Sequence, residues 1–211
     1  MTLSTVPEDT KVRIGLTGNI ATGKTTVGRM LQTLGAEPID ADQVTHSVMA
    51  PGGPAYGPVV AAFGEVILTE DGAINRAVLG RLVFSDPAAL ARLEALVHPV
   101  VIAEVERQVA ASYACVVVVE AIKLLESGMA DAYDAIWVTT CSEDTQLQRL
   151  MQGRGLSREA ALERIHVQPP QAEKLARADW VIDTDGTLEQ TEAQVRAGWR
   201  ALQGASAGAV S

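Results

Sequence analysis

Eight residues near the start of the chain carry the pattern of a phosphate-binding loop. They read Gly18-Asn19-Ile20-Ala21-Thr22-Gly23-Lys24-Thr25, which matches G-x-x-x-x-G-K-[ST]. Glycines let the backbone turn tightly and approach a polyanion, so that its N–H groups face phosphate oxygens. Lys24 adds a full positive charge, and the hydroxyl of Thr25 is a ligand for Mg²⁺. The pattern, extended to Thr26, predicts a site for a nucleoside triphosphate.

Carboxylates at the ends of predicted strands are candidates for acid–base and metal chemistry. Asp40 and Asp42 lie two residues apart at the end of a predicted second strand, and this spacing puts both on one face. Because ligands of doubly wound sheets bind outside the carboxyl ends of the strands, we expect Asp42 to orient or deprotonate an acceptor hydroxyl. The alternative is that these residues cap the next helix. Glu120 ends the apolar run 116–119 and is a candidate Mg²⁺ ligand through water, or an ordinary strand-end carboxylate.

Cations are scarce in this chain, so their clustering is informative. The formal net charge is −9, yet Arg149 and Arg154 flank Gln152-Gly153, and Arg158, Arg164 and Lys174 follow. Phosphoryl transfer needs cations that close over the phosphates, so Arg149 and Arg154 are candidate catalytic residues of a lid. The glycines are expected to break the helix here and to leave Arg154 mobile. A solvated helix end is the alternative.

The elements that would position these residues alternate along the chain. Strands are predicted at residues 12–16, 38–42, 116–120, 136–140 and 180–183. Helices are predicted at 25–34, 142–151, 157–167 and 188–202, and residues 55–111 are largely helical. The alternation predicts an α/β fold with a five-stranded parallel sheet flanked by helices.

Composition excludes several classes of protein. The chain has 211 residues and 47% hydrophobic content, enough for one domain with inserted parts. A net charge of −9 argues against general nucleic-acid binding. No apolar run is long enough for a membrane span, and residues 1–10 show no signal peptide, so a cytoplasmic location is expected. No obligate protein partner is evident.

Four segments together resemble the dephospho-coenzyme A kinase family. They are Ile14-Gly15-Leu16-Thr17-Gly18, Ile39-Asp40-Ala41-Asp42, the series Phe63-Gly64 … Asp71-Gly72 … Asn75-Arg76 … Leu79 … Val83-Phe84 … Leu93-Glu94 … His98-Pro99, and Ala178-Asp179-Trp180-Val181-Ile182-Asp183. The resemblance runs from about residue 12 to 202. The phosphate loop is generic, whereas the other three segments together are quite specific.

The resemblance implies a reaction and roles for several residues. The reaction is phosphorylation of the ribose 3′-hydroxyl of dephospho-coenzyme A by ATP with Mg²⁺, giving coenzyme A and ADP. Asp42 matches the presumed general base of the family, and Lys24 and Thr25 match its phosphate and Mg²⁺ positions. Arg76 and His98 are candidate substrate residues, although a His in an apolar stretch is more often structural.

The same resemblance divides the chain into parts. The predicted P-loop kinase domain spans 11–204, with core segments 11–50, 112–148 and 175–204. Residues 51–111 correspond to a helical insert that binds coenzyme A, and 149–174 to a small helical lid. The segments 1–10 and 205–211 are expected to be flexible tails.

Two positions depart from the family pattern. The family commonly has Asp-x-Pro-Leu-Leu-Phe-Glu after the third strand, where this chain has Glu120-Ala121-Ile122-Lys123-Leu124-Leu125-Glu126. Lys123 either supplies an added phosphate contact or signals a changed acceptor. The loop interior reads Asn19-Ile20-Ala21-Thr22 where Gly-Ile-Gly-Ser is usual.

Two other functions remain open from the sequence. One is a kinase for another small metabolite, such as a nucleoside or nucleotide. The other is a non-catalytic nucleotide-binding switch, against which Asp42 and the cationic lid argue. A GTPase is disfavoured because the chain lacks Asn-Lys-x-Asp, and its one Asp-x-x-Gly, Asp183 to Gly186, follows the last predicted strand.

Overall fold

The structure, a computed structural model, describes residues 11–208 and divides into two compact units. The first unit comprises the residues up to 39 and those from 112 onward, and the second comprises residues 40–111. The second unit contains the predicted insert 51–111 and also residues 40–50, among them Asp42. The predicted tail 1–10, and residues 209–211 of the other tail, lie outside the described residues.

A five-stranded sheet forms the framework of the first unit. Its strands are β1 (Val12–Thr17), β2 (Glu37–Asp40), β3 (Val116–Glu120), β4 (Ala135–Thr140) and β5 (Trp180–Asp183), in the order β2-β3-β1-β4-β5. The central β1 pairs in parallel with β3 and β4, and β4 pairs in parallel with β5. The valines at 116–119 of β3 are all buried, as expected of a strand covered on both faces. The α/β class and the parallel five-stranded sheet are confirmed.

The described helices are nine α-helices. They are α1 (Lys24–Thr33), α2 (Ala41–Val48), α3 (Tyr56–Phe63), α4 (Arg76–Phe84), α5 (Pro87–Ala111), α6 (Glu143–Arg154), α7 (Arg158–His166), α8 (Gln171–Leu175) and α9 (Leu188–Gly208). In the first unit, α1 and α9 pack on the sheet around a core that includes Ile14, Leu16, Val27, Leu31, Trp137, Ile182 and Trp199. A smaller cluster joins α6 to α7 through Leu147, Leu150, Ala161 and Ile165. Strand pairing and this packed core hold the ends of β1, β3 and β4, from which the loops of the site begin.

The second unit is built of α2 to α5. Side-chain oxygens start three of its helices, because Asp40 accepts from Gln43 N–H, Asn75 from Val78 N–H and Asp86 from Ala88 N–H. Pro87 occupies the first position of α5, where its missing N–H costs nothing. The pair Asp86-Pro87 therefore starts α5.

Several predicted boundaries were wrong. The second strand ends at Asp40 rather than continuing to 42, because Asp40 caps α2 and starts a helix there. Helix α6 continues through Gly153 and ends at Arg154, where Gly155 adopts a left-handed conformation with φ 62°. Helix α9 continues to Gly208, into the segment expected to be a flexible tail. Helix α8 was not predicted.

Candidate active site

The phosphate loop connects β1 to α1 and lines a cavity of about 460 Å³ in the first unit. Five lining residues precede α1 and three belong to its first turn, and the other walls come from α6, α9 and two further loops. The lining residues are Asn19, Ile20, Ala21, Thr22, Gly23, Lys24, Thr25, Thr26, Ile122, Arg149, Leu150, Gly153, Arg154, Thr184, Gly186, Leu188 and Thr191. The structure thus brings the predicted loop, Arg149 and Arg154 together around one cavity.

Gly18 is required where β1 ends, because the loop passes against β4 there. A Cβ at this position would lie 2.3 Å from Thr139 Oγ1 and 2.6 Å from the backbone oxygen of Thr139. Thr139 Oγ1 is also hydrogen-bonded to Thr22 Oγ1 at 2.8 Å. The glycine therefore permits a close approach that no other residue allows.

The start of α1 has the features of an anion site. Its N-cap is Gly23, which has no side chain to cap the helix, and φ 88° and ψ 15° place it in the left-handed region. The first backbone bond of this turn runs from Val27 N–H to Gly23 O at 3.0 Å. Helix geometry leaves the N–H groups of the residues before Val27 out of the intrahelical ladder, and they carry the positive end of the helix dipole. A phosphate in the cavity would satisfy them.

Arg149 is held against the cavity wall by several hydrogen bonds. Its Nη1 donates to Ala21 O at 3.0 Å and to Thr184 Oγ1 at 2.9 Å, and its Nη2 donates to Thr184 O at 2.6 Å. The guanidinium therefore joins the loop to the segment after β5 while its charge lies at the cavity. Arg154, by contrast, is exposed at the end of α6. Lys174, counted among the lid cations, is instead buried and paired with Glu126 at 2.7 Å.

The segment after β5 contains the loop from Thr184 to Gly186, which from the sequence is a plausible site for adenine contacts. Thr184 Oγ1 donates to Thr22 O at 3.0 Å, and Asp185 accepts from Ser142 N–H and Ser142 Oγ–H at the start of α6. A hydrogen bond from Thr145 is the main cause that lowers the pKa of Asp185, so the carboxylate holds this loop as an anion. Thr184, Gly186, Leu188 and Thr191 also line the cavity.

Two glutamines that sequence reasoning missed contact the first residues of the loop. Gln171 Oε1 accepts from Asn19 N–H at 3.2 Å, and Gln168 Oε1 accepts from Ile20 N–H at 2.7 Å. Gln168 and Gln171 lie 148 and 152 residues from their partners along the chain. No local sequence pattern could have pointed to these contacts, because only the fold brings the segments together.

Oxygen ligands suitable for Mg²⁺ lie on and beside α1. The hydroxyl of Thr25 belongs to the first turn and lines the cavity. Glu120, at the end of β3, packs so closely on α1 that a Cβ on Gly28 would meet Glu120 Oε1 at 1.8 Å. Gly28 follows Thr25 by three residues, so the carboxylate lies about one helical turn from the hydroxyl. A hydroxyl and a carboxylate are the hard oxygen donors that Mg²⁺ prefers alongside phosphate oxygens. Lys123 lies in the loop that follows β3.

The remaining predicted residues belong to the second unit. Asp42 lies in the first turn of α2, Arg76 is the first residue of α4, and His98 lies within α5 just before Pro99. His46, which was not singled out, follows Asp42 by one turn of α2. Partial burial lowers the pKa of His46 and the charge of Arg76 lowers it further, whereas Asp42 and Asp40 raise it. Asp42 and Arg76 therefore share one electrostatic neighbourhood.

Residues 11–208 contain neither a side-chain cluster suited to a metal ion nor a helix suited to span a membrane. No group of three or more His, Cys, Asp or Glu side chains in this range has the geometry of a metal site. In the same range, no helix has both the length and the apolar character needed to cross a bilayer.

The fold and the loop define a class of protein. A loop of this pattern after the central strand of a parallel sheet, with an uncapped helix behind it, is the nucleotide site of P-loop kinases. A shikimate kinase structure from Acinetobacter baumannii shares the fold at a TM-score of 0.53, with 15% identity over 94% of this chain and 98% of that one.

The chain belongs to the dephospho-CoA kinase family, whose family model matches residues 12–190. Similar curated proteins include the dephospho-CoA kinases of Geobacter sulfurreducens, 45% identical over 88% of this chain and 96% of that protein, and of Symbiobacterium thermophilum, 44% identical over 92% and 83%. A solved structure from Thermus thermophilus is 32% identical with a TM-score of 0.81, covering 91% of this chain and 98% of that one. The dephospho-CoA kinase structure from Campylobacter jejuni is 26% identical with a TM-score of 0.63, covering 93% and 98%.

Proposed function

We propose that this protein transfers the γ-phosphoryl group of ATP to the 3′-hydroxyl of dephospho-CoA, giving CoA and ADP. The family supports the reaction, and the cavity around the phosphate loop supports the nucleotide. The hydroxyl oxygen attacks the γ-phosphorus while the bond to the bridging oxygen breaks and ADP leaves. Catalysis of this kind depends on positioning and on neutralising charge. Since the reaction draws on ATP, the proposed location is the cytoplasm.

The triphosphate would lie along the loop with its charge met from three sides. The N–H groups at the start of α1 and the ammonium of Lys24 would contact the phosphates, and Arg149 adds a positive charge that its hydrogen bonds hold in place. The exposed Arg154 is the proposed mobile cation. The adenine of ATP would lie among Thr184, Gly186, Leu188 and Thr191, which line the same cavity.

Four side chains are proposed to act on the acceptor. Asp42 is the proposed general base that receives the hydroxyl proton. Arg76, His98 and Lys123 are proposed contacts of the acceptor, whose phosphate groups suit the two cations. The insert 51–111 is the proposed coenzyme A site, and 149–174 the proposed lid.

Mg²⁺ is the proposed metal, held by Thr25 directly and by Glu120 through water. When bound, it would neutralise phosphate charge on ATP. Thr25 supplies its hydroxyl from the first turn of α1, where the backbone already favours anions. The carboxylate of Glu120 lies against Gly28, about one helical turn further along α1 than Thr25, and this proximity supports its proposed role.

The observation that carries the proposal is the match of the family model over residues 12–190 of a chain whose phosphate loop lines a cavity. The test is a coupled assay of ADP release with purified protein, with and without dephospho-CoA. Release that depends on dephospho-CoA supports the proposal. Release that depends instead on a nucleoside or nucleotide supports a different kinase, and no release with any acceptor supports a nucleotide-dependent switch.

The role of Asp42 is tested in the same assay. Asp42→Asn keeps the size of the side chain and removes its basicity, so we expect kcat to fall by about 10²- to 10⁴-fold while the Kd for ADP stays within about twofold. Asp144→Asn, at an exposed position in the first turn of α6, is the matched control and should turn over like the wild type. Wild-type turnover by Asp42→Asn would remove Asp42 from the base role.

A further inference from the structure

We propose that Gln168 and Gln171 are positioning residues that hold residues 18–20 of the phosphate loop, so that residues 21–26 keep the geometry that binds phosphate. The inference rests on the proposed nucleotide site but not on the identity of the acceptor. It concerns the Gln-Pro-Pro-Gln segment, residues 168–171, which joins α7 to α8.

Three hydrogen bonds connect this segment to two adjacent residues of the loop. Ile20 N–H donates to Gln168 Oε1 at 2.7 Å, and Asn19 N–H donates to Gln171 Oε1 at 3.2 Å. The Asn19 side chain, itself 8% exposed, donates through Nδ2 to Pro169 O at 3.0 Å. Consecutive backbone amides of the loop are therefore committed to side chains of the protein instead of to a ligand.

The segment is itself fixed, so it can hold the loop. Gln171 Nε2 donates to Thr139 O at the end of β4 at 2.7 Å, which ties the same side chain to the sheet and to the loop. One turn further along α8, Lys174 Nζ donates to Ile122 O at 2.8 Å and to Glu126 Oε1 at 2.7 Å. Pro169 and Pro170 restrict φ between the two glutamines. Residues 168–174 are thus hydrogen-bonded to the chain at or just after the ends of β1, β3 and β4.

This arrangement explains how the loop can be ready for an anion before the nucleotide binds. An N–H group in a buried turn needs a partner, and the amides of Asn19 and Ile20 would otherwise compete for phosphate or water. With both amides engaged, the peptide planes up to residue 20 are fixed, and those of the following residues follow from them. A loop ordered before binding loses less conformational entropy when the nucleotide arrives.

A role in packing alone makes a different prediction from a role in positioning. A packing role would lower thermal stability and leave the affinity of the folded protein for nucleotide unchanged. A positioning role would raise the Kd for ADP, measured without acceptor, and leave the Kd for dephospho-CoA unchanged. Because ADP binding needs no acceptor, the result stands even if the proposed acceptor is wrong.

The experiment compares matched variants by titration calorimetry with Mg²⁺·ADP and by thermal unfolding. Gln168→Met keeps the length of the side chain and removes its acceptor, and we expect the Kd for ADP to rise about tenfold. Gln168→Glu restores the acceptor but adds a negative charge near the phosphates, so its remaining loss should shrink at high salt while that of Gln168→Met does not. Gln171→Met should behave like Gln168→Met. Gln203→Met, at an exposed position near the end of α9, is the control and should match the wild type.

Two outcomes would overturn the proposal. One is an unchanged Kd for ADP in Gln168→Met. The other is a weakened Kd that Gln168→Glu fails to recover at high salt, which would show that the amide acceptor is not what matters. If Gln171→Met does not fold, the Gln168 pair still decides the question, because it removes one bond and leaves the bridge of Gln171 to Thr139 in place.

Discussion

The two halves of the phosphate loop meet their hydrogen-bonding needs in opposite ways. In residues 18–20, the N–H groups of Asn19 and Ile20 donate to glutamine side chains from a distant segment. In residues 21–26, a left-handed glycine starts α1 and offers no side chain as a cap. The amides of Asn19 and Ile20 are thus engaged by a distant segment, and Thr22 N–H donates within the loop to Asn19 O. The start of α1, by contrast, has no side-chain cap, and we propose that an anion binds there.

Four other helices begin with a side-chain cap, unlike α1, whereas α3 and α8 also begin without one. Helices α2, α4, α6 and α7 each begin with a side chain that accepts from a backbone N–H, from Asp40, Asn75, Ser142 and Ser157 respectively. Such a cap contributes about 1 kcal/mol to stability. At α1 that contribution is given up, and the same N–H groups become available to phosphate. A missing cap therefore indicates a binding site at α1 only together with the glycine-rich loop and the cavity that this loop lines.

The largest expected effect comes from the second half of the loop. Lys24→Met keeps an extended side chain and removes the charge, so we expect kcat/KM to fall by about 10²- to 10³-fold because transition-state charge loses a partner. Steady-state kinetics and the melting temperature measure this. If Lys24→Met kept wild-type turnover, residues 21–26 would not be the phosphate site, and the contrast between the two halves of the loop would be wrong.

The framework of this site could be predicted from the sequence because its signals are local. The loop pattern, the valines of β3 and the Asp-Pro start of α5 depend on residues close together in the chain. Turn chemistry and apolar periodicity report such features directly. These local signals were sufficient to predict the five strands and the α/β class. The family model matches residues 12–190, which include all five strands.

Two kinds of detail could not be predicted from the sequence. In one, a residue could adopt either of two local structures; in the other, the contact joins segments far apart in the chain. Asp40 could continue a strand or cap a helix, and its bond to Gln43 N–H decided for the cap, which moved Asp42 onto α2. Helix α8 has five residues, too few for a periodic signal. The bonds of Gln168, Gln171 and Arg149 join segments more than 30 residues apart, as the 35 residues between Arg149 and Thr184 illustrate.

The next largest effect tests the difference between the halves through their glycines. Gly18→Ala would push a methyl group into Thr139, including its backbone oxygen, so we expect the free energy of unfolding to fall by about 3 kcal/mol. Gly23→Ala would meet Thr184 Cγ2 only at 3.3 Å, and its cost of about 1 kcal/mol comes from the left-handed φ. Urea unfolding of both variants gives the two values.

The order of the two losses is what matters in that experiment. If Gly23→Ala proved the more destabilising, the close approach of the loop to β4 would not be the main constraint on the first half. A fall in nucleotide affinity is expected for Gly23→Ala as well, because its methyl group lies in the half that faces the anion.

A smaller effect is expected at the junction of the halves, where Arg149 donates to Ala21 O. Arg149→Lys keeps the charge but cannot reproduce the several directed bonds to Ala21 and Thr184. We expect kcat/KM to fall about tenfold in Arg149→Lys and further in Arg149→Met. If Lys restored full activity, charge alone would explain Arg149, and its hydrogen bonds to Thr184 would be incidental.

The smallest effect concerns Ala21, the one non-glycine residue with a positive φ, 60°, among residues 11–208. An alanine in this conformation costs about 1 to 2 kcal/mol, whereas glycine adopts it freely but gains more entropy on unfolding. Ala21→Gly should therefore raise the free energy of unfolding by about 0.5 kcal/mol, measured by urea unfolding. Its Kd for ADP should stay within about twofold, because the neighbouring amides are already held by Gln168 and Gln171. A large loss of affinity would instead mean that the alanine itself keeps the second half in place, and that the glutamines hold only the first.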